Sequence, residues 1–176
     1  DLDRAALSRL VRDVLALARP VGATVLVNGD AEVALQAGAA GVHLPADRPV
    51  AVARAVLGPG RIVGYSAHDL TEAKVAAAAG ADYVTFSPIF LSDSKPGYGP
   101  ALGLDRLRAM AAELAIPTIA LGGIDATNGA ACLTAGARGL AVMGAAMQDD
   151  VDGSQIRRLV ALWPAHGRFV AQAALM

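Results

Sequence analysis

A short glycine phrase recurs three times along the chain and constrains the fold more than any other feature of the sequence. Ala-Gly-Ala stands at 37–39, 79–81 and 135–137, each time after an alanine-rich stretch and before an apolar run. Glycine adopts the left-handed backbone conformation that ends a helix, so the chain can turn directly into a buried strand. The copies lie 42 and 56 residues apart, which is too irregular for a solenoid but suits strand-helix units joined by loops of differing length.

The apolar runs predict six strands, each short and apolar on both faces, as is typical of parallel strands covered by helices. The predicted strands are Ala23–Val27, Gly41–Leu44, Arg61–Tyr65, Tyr83–Ser87, Thr118–Leu121 and Gly139–Met143. Helices are predicted before, between and after them, at Leu7–Ala18, Ala31–Ala37, Val50–Leu57, Leu70–Ala79, Leu104–Leu114, Asn128–Ala135 and Ser154–Leu162.

This alternation of strands and helices predicts an α/β fold, either a closed (β/α)8 TIM barrel or an open doubly wound sheet. No glycine-rich dinucleotide fingerprint follows the first strand, which favours the barrel. We therefore predict that residues 1–176 form a single barrel domain, and that an N-terminal β-α-β segment with the first two strands precedes this sequence. A genuine six-stranded open sheet remains the alternative.

Composition and charge argue against several classes of protein. The net charge is −1 and no basic run occurs, so nucleic acid is not an expected partner. No charge-free apolar stretch reaches the ~18–20 residues that cross a bilayer, and the opening residues lack a basic-then-apolar signal. Cys132 is the one cysteine, which fits a reducing compartment. We predict a cytoplasmic protein with no membrane partner, and leave a homo-oligomer open.

Polar residues gather where the predicted strands end. Asn28 and Asp30 follow the first strand, Asp47 follows the second, and Ser66 and His68 close the third. In (β/α) barrels the loops after the strands carry the chemistry. The pattern therefore predicts a small-molecule site at this end of the sheet.

Two further segments at the strand ends have the composition of a phosphate site. The loop after the fourth strand includes Ser92, Ser94 and Lys95, whose hydroxyl and ammonium groups suit phosphate or pyrophosphate oxygens. The last two strands end in Gly122-Gly123 and Met143-Gly144, where barrels often bind phosphate through backbone amides. A solvated turn-rich loop and close backbone packing at the rim are the alternatives. We predict small phosphorylated substrates.

The titratable residues suggest further candidates. His43 is predicted to be a hydrogen-bonding group of the barrel rim, and His68 is a candidate for catalysis. Asp47 and Asp30 are the best-placed carboxylates for a hard cation such as Mg²⁺, and a capping role for either is equally ordinary. Cys132 lies in a predicted helix and is expected to be a core thiol.

Several segments follow one another in an order shared with a known family. They include Leu26-Val27-Asn28, Ala40-Gly41-Val42-His43-Leu44, Gly64-Tyr65-Ser66-Ala67-His68, Ser87-Pro88-Ile89-Phe90, Ser92-Asp93-Ser94-Lys95 and Ala120-Leu121-Gly122-Gly123-Ile124. In this order, over about residues 1–148, the chain resembles the thiamine phosphate synthase family and its TenI relatives. The resemblance implies a (β/α)8 barrel.

The resemblance also implies a transferase that couples hydroxymethylpyrimidine diphosphate to thiazole phosphate and releases pyrophosphate. The implied mechanism is dissociative, with Mg²⁺ and a lysine stabilising the departing pyrophosphate. By position, Ser92, Ser94 and Lys95 match the loop that grips the pyrophosphate. The other matches are Asn28 to a contact with the diphosphate substrate, Ser66 to a serine close to the leaving group, and Gly123 and Met143-Gly144 to phosphate-binding positions.

The chain departs from the family pattern at the metal ligands. Gly29 stands where synthases usually have an aspartate, and Asp47 follows Pro45-Ala46 in place of the usual Gly-Gln segment. One alternative is a TenI-like thiazole tautomerase, an isomerase that needs a general base and no metal. Its catalytic histidine would match Pro88, which leaves His68 as the candidate base. A non-catalytic binder of phosphorylated ligands is the other alternative.

Overall fold

The computed structural model describes residues 2–91, 99–147 and 153–162. The strands are β1 (Leu26–Asn28), β2 (Gly41–Leu44), β3 (Ile62–Ala67), β4 (Tyr83–Phe86), β5 (Thr118–Leu121) and β6 (Gly139–Ala141). The helices are α1 (Arg4–Ala18), α2 (Ala31–Ala37), α3 (Val50–Leu57), α4 (Leu70–Ala78), α5 (Gly103–Glu113), α6 (Gly129–Thr134), α7 (Gly144–Met147) and α8 (Ser154–Ala161), and a 3-10 turn spans Arg19–Val21.

The six strands are parallel and pair in the order β1-β2-β3-β4-β5-β6, which forms one curled sheet. A doubly wound sheet reverses its strand order part of the way across, so the sequential order contradicts that alternative. The prediction of a β/α barrel is confirmed as a six-strand half-barrel. Six strands is the number predicted for this sequence, and the full barrel of eight strands stays a prediction.

The predicted elements are present, and their ends differ from the predicted ones by at most three residues. The largest differences are at α1, which begins at Arg4 and not at Leu7, and at β1, which begins at Leu26 and not at Ala23. The amide of Ala23 still donates to the carbonyl of Ala18, 3.0 Å away, so the chain is still leaving α1 at this point. The short helix α7 was not predicted, because four residues carry too little periodicity to be recognised.

The repeated glycine phrase ends helices as predicted. Gly38, Gly80 and Gly136 have φ angles of +78°, +97° and +103°. In each copy the next amide donates to the carbonyl five residues earlier, at 3.0 to 3.1 Å. This is the closure of a helix by a left-handed residue, which satisfies a carbonyl that the helix leaves open. The repeated phrase therefore ends a helix just before each of β2, β4 and β6.

The two faces of the sheet differ in chemistry. Because side chains alternate along a strand, Val42, Val63 and Val84 share one face, where their exposed fraction is 0%. The opposite face carries polar groups, among them His43 and Ser66. Cys132 in α6 is likewise fully buried, which confirms the predicted core thiol. None of the described helices is both long and apolar enough to cross a membrane.

Arg54 of α3 makes several hydrogen bonds at the end of the sheet where the strands begin. Its guanidinium donates to the carbonyl oxygens of Gly58, Arg61 and Gly80 at 2.6 to 3.1 Å. It also donates to the carboxylate of Asp82 at 2.6 Å. Only the planar fork of arginine reaches so many acceptors at once. The side chain therefore joins the end of α3 to the segments that lead into β3 and β4.

We predict that Arg54→Ala lowers the free energy of unfolding by about 2–4 kcal/mol, because partly buried carbonyls lose a charged donor. Arg54→Lys is expected to recover less than half of that loss, since an ammonium cannot span the same acceptors. Urea denaturation followed by circular dichroism measures both values. The matched control is Arg108→Ala, which removes an exposed ion pair with Asp105 and should cost less than about 0.5 kcal/mol. Equal losses at the two arginines would contradict the role given to Arg54.

Candidate active site at the strand ends

The carboxyl ends of the strands bring together residues that lie far apart in the sequence. Asn28 ends β1 and is in register with His43 on β2. His43 is in register with Gly64 on β3, and Gly64 with Tyr83 on β4. Residues in register on neighbouring strands point to the same face of a sheet. Asn28, His43 and Tyr83, together with Ser66 two residues beyond Gly64, therefore belong to one face, which we call the inner face.

Three side chains of the inner face form a continuous hydrogen-bonded chain. Nε2 of His43 lies 2.9 Å from Oγ of Ser66, and Nδ1 of His43 lies 2.9 Å from the hydroxyl of Tyr83. The rings of His43 and Tyr83 are stacked, with their centroids 5.6 Å apart and their planes inclined at 26°. The predicted hydrogen-bonding role of His43 is confirmed. Its partner Tyr83 was not foreseen.

His43 is neutral at physiological pH. The side chain is 5% exposed, and burial lowers the pKa of His43 to about 4. A neutral imidazole donates from one nitrogen and accepts at the other. His43 is therefore unsuited to neutralise the charge of a bound anion, but it can fix the direction of the hydroxyl next to it.

Gly64 makes the contact between His43 and Tyr83 sterically feasible. It stands in register between them, so the ring of Tyr83 must pass over β3 to reach β2. A Cβ atom on Gly64 would lie 2.2 Å from Cζ of Tyr83 and 2.4 Å from its hydroxyl oxygen. No side chain fits in that space, so only glycine at this position lets the ring of Tyr83 cross the strand.

His68 is held at the same end of the sheet, between β3 and α4. Its Nδ1 lies 2.9 Å from the carbonyl oxygen of Ser87, at the end of β4, and its amide donates to the carboxylate of Glu72. A carbonyl oxygen only accepts, so Nδ1 carries a proton. The predicted role of His68 in catalysis stays a prediction.

Gly122 and Gly123 follow β5 and pack against the segment after β4. A Cβ on Gly122 would lie 2.8 Å from Cα of Pro88, and one on Gly123 would lie 2.4 Å from the carbonyl oxygen of Leu91. Asn128, which sequence reasoning passed over, donates to the carbonyl of Gly123 at 2.8 Å. The close packing that we weighed as an alternative is thus present, and phosphate binding by these amides stays a prediction.

The two candidate carboxylates for a metal ion differ in their surroundings. One oxygen of Asp30 accepts from the amide of Val33 and so caps α2, and the other lies 2.8 Å from the guanidinium of Arg4. Asp47 is exposed in the loop after β2. Among the described residues, no group of three or more His, Cys, Asp or Glu side chains is placed to hold a metal ion.

Two of the remaining predicted residues lie at or just before the start of α7, and three lie outside the described residues. Met143 precedes α7, and Gly144 is the first residue of that helix. Ser92, Ser94 and Lys95 lie outside the described residues, so their predicted phosphate contacts stay predictions. A cleft of about 1170 Å³ beside β1 includes Asn28 in its wall. Side chains of α1 and α3 line much of this cleft, so we do not identify it with the site at the strand ends.

Comparison with known proteins gives a consistent result. The profile of the thiamine monophosphate synthase family matches residues 1–146. A relative from Geobacter sulfurreducens is 42% identical over 169 residues, which cover 96% of this chain and 79% of the relative. The thiamine-phosphate synthase of Chloroflexus aurantiacus is 43% identical, with 83% of this chain and 69% of that protein covered.

A solved structure agrees with these relatives. The thiamine phosphate pyrophosphorylase from Pyrococcus furiosus superposes with a TM-score of 0.82 and 29% identity, covering 92% of this chain and 78% of that one. The predicted resemblance is therefore confirmed, and the predicted transferase agrees with the names of these relatives. The chain belongs to the thiamine monophosphate synthase family.

Proposed function

We propose that this chain is a thiamine-phosphate synthase. In the proposed reaction, hydroxymethylpyrimidine diphosphate loses pyrophosphate, and the nitrogen of thiazole phosphate bonds to the vacated carbon. The proposal is supported by relatives about 40% identical that carry this name. The observation in the structure that supports it best is the hydroxyl of Ser66, held by a buried neutral histidine at the strand ends.

The residues of the site have distinct parts in this proposal. The breaking carbon–oxygen bond leaves both electrons on pyrophosphate, so the leaving group gains charge as the bond opens. Ser66 donates a hydrogen bond to that developing charge, which stabilises the transition state more than the bound substrate. The amides of Gly122 and Gly123 hold the phosphate of the thiazole, and Asn28 orients the diphosphate substrate. The lone pair of the thiazole nitrogen then forms the new bond.

Magnesium is implied by the family resemblance, and the described residues do not fit it well. A Mg²⁺ ion takes oxygen ligands in near-octahedral geometry, commonly from carboxylates. Both oxygens of Asp30 are already engaged, one by the amide of Val33 and one by Arg4. Asp47 alone is one carboxylate. Mg²⁺ binding therefore stays a prediction.

The mutation of Asp30 distinguishes a helix cap from a metal ligand. We predict that Asp30→Ala lowers the free energy of unfolding by about 0.5–2 kcal/mol, while Asp30→Asn stays close to the parent because asparagine caps equally well. Urea denaturation measures both values. In Asp30→Asn the Mg²⁺ concentration that half-saturates product formation should be unchanged. A large rise in that concentration, with stability intact, would show that Asp30 holds the metal.

The tautomerase alternative requires a general base at the same site. Pro88 stands at the position where the tautomerases have their histidine. His68 is fixed nearby through the carbonyl of Ser87. Conversion of the thiazole carboxylate phosphate by this chain, abolished in His68→Ala, would favour the tautomerase over the synthase.

The proposed function is tested directly by supplying both precursors. Thiamine phosphate and pyrophosphate should appear in equal amounts, and neither should form when one precursor is omitted. The assay is run with and without Mg²⁺, beside the tautomerase assay. Absence of thiamine phosphate under both conditions, from protein shown to be folded, would contradict the proposal. A cytoplasmic location and any homo-oligomer stay predictions.

A substitution at Lys95 tests the proposed contact with pyrophosphate. Lys95→Ala is expected to lower kcat/KM for the diphosphate by about 10²–10³-fold, because the ammonium no longer offsets the charge of the leaving group. The chain offers one matched control, since Lys74 is its other lysine. Lys74 pairs with Glu113 on the exposed surface, and Lys74→Ala should leave kcat/KM unchanged. Equal kinetics in the two variants would remove Lys95 from the mechanism.

A further inference from the structure

The two hydrogen bonds that join Tyr83, His43 and Ser66 can run in either direction, and the direction decides what Ser66 can do. All three contacting groups carry or accept protons, so the two 2.9 Å contacts permit two arrangements. In one, each hydrogen bond runs from Tyr83 towards Ser66. In the other, each runs from Ser66 towards Tyr83. Only the first leaves the proton of Ser66 available to a ligand.

The chemistry of the groups selects the first arrangement. Burial raises the pKa of Tyr83, with a smaller contribution from Asp82, so the phenol keeps its proton. A phenol is a stronger proton donor than an aliphatic hydroxyl, which favours a hydrogen bond from Tyr83 to Nδ1 of His43. The neutral imidazole then carries its proton on Nε2 and donates it to Oγ of Ser66. A chain of this kind strengthens each of its bonds by polarising the next.

The proton of Ser66 is then directed away from the histidine. Thr85 stands in register with Ser66 on the inner face, but its Oγ1 has no hydrogen-bond partner among the described residues. The proton of Ser66 is thus not taken up by this neighbouring hydroxyl. Ser66 is partly exposed at the end of β3, whereas His43 is buried beneath it.

We infer that Tyr83 is a positioning residue which, through His43, fixes the hydroxyl of Ser66 as a hydrogen-bond donor to the departing pyrophosphate. The inference rests on the proposed function, and it adds two residues to the machinery, Tyr83 and the glycine that it crosses. No covalent bond forms at Ser66. Both electrons of the broken carbon–oxygen bond leave with pyrophosphate, and the serine proton stays on its own oxygen throughout.

The proton positions of His43 test the direction of the chain without any substrate. Nitrogen-15 NMR of the imidazole should show Nε2 protonated and Nδ1 unprotonated and hydrogen-bonded. Tyr83→Phe should move the Nδ1 resonance towards that of an unbonded nitrogen. Tyr65→Phe is the matched control, because its hydroxyl donates to the carbonyl of Ala46 on the other face of β3. A proton on Nδ1 in the parent chain would overturn the inference, even if no variant folds.

A double-mutant cycle tests the effect on the reaction. Tyr83→Phe should lower kcat by about 10- to 100-fold, less than the 10²–10³-fold expected for removing a transition-state donor outright in Ser66→Ala. In the Ser66→Ala background, Tyr83→Phe should have no further effect, because the donor it positions is gone. KM for the diphosphate should change little. Effects that multiply in the double variant would overturn the inference, since a merely structural tyrosine acts independently of Ser66.

Two further variants complete the test. Gly64→Ala should lower kcat to about the level of Tyr83→Phe, because its Cβ displaces the phenol ring. Thr118→Val removes a buried hydroxyl without a partner among the described residues and should leave kcat unchanged. An inactive parent chain would contradict the proposed function, whereas an active parent with the wrong His43 tautomer would contradict this inference alone.

Discussion

The arrangement of the site depends on Gly64, which has no side chain. Gly64 leaves a gap on the inner face of β3, and the ring of Tyr83 fills that gap to reach His43. Burying a histidine costs free energy unless both nitrogens find partners. Tyr83 and Ser66 supply those partners from the two sides. The glycine thus allows a polar group to lie deep in the sheet without an unpaired nitrogen, and it sets the orientation of the hydroxyl above it.

The two ends of the sheet differ in their polar contacts. Arg54 joins the segments that lead into β3 and β4. Its guanidinium donates hydrogen bonds to carbonyl oxygens in both segments. At the carboxyl ends, hydrogen bonds join His43 to Ser66 and His68 to the carbonyl of Ser87. This division is general in β/α barrels, in which stability resides at one end and chemistry at the other. We therefore expect substitutions at the carboxyl ends to change activity while the packed helices keep the fold.

Local features of the sequence were predictable, and features that depend on register were not. Gly38, Gly80 and Gly136 mark helix ends through their own conformational freedom, so their effect can be read within a few residues. The contact between His43 and Tyr83 joins residues 40 positions apart. Recognising it requires knowing that Gly64 stands between them in register. Aligning the predicted ends of β2, β3 and β4 places Phe86, and not Tyr83, beside Gly64, so the sequence carries no signal for this contact.

Asp30 illustrates a different limit. An aspartate just before a helix suits both a cap and a metal ligand, and the sequence alone does not separate the two roles. The geometry gives its oxygens to the amide of Val33 and to Arg4. Family resemblance predicted the chemistry at the strand ends, but the placement of each hydrogen bond came only from the packed structure.

We propose that anionic oxygens bind at the carboxyl ends of the strands, and titration with pyrophosphate tests this proposal. Backbone amide resonances of the full chain are followed by NMR as pyrophosphate is added. The account predicts saturable shifts at Ser66, His68, Gly122 and Gly123, with little change near Arg54. Shifts confined to Gly58, Arg61 and Gly80, at the opposite end of the sheet, would contradict it.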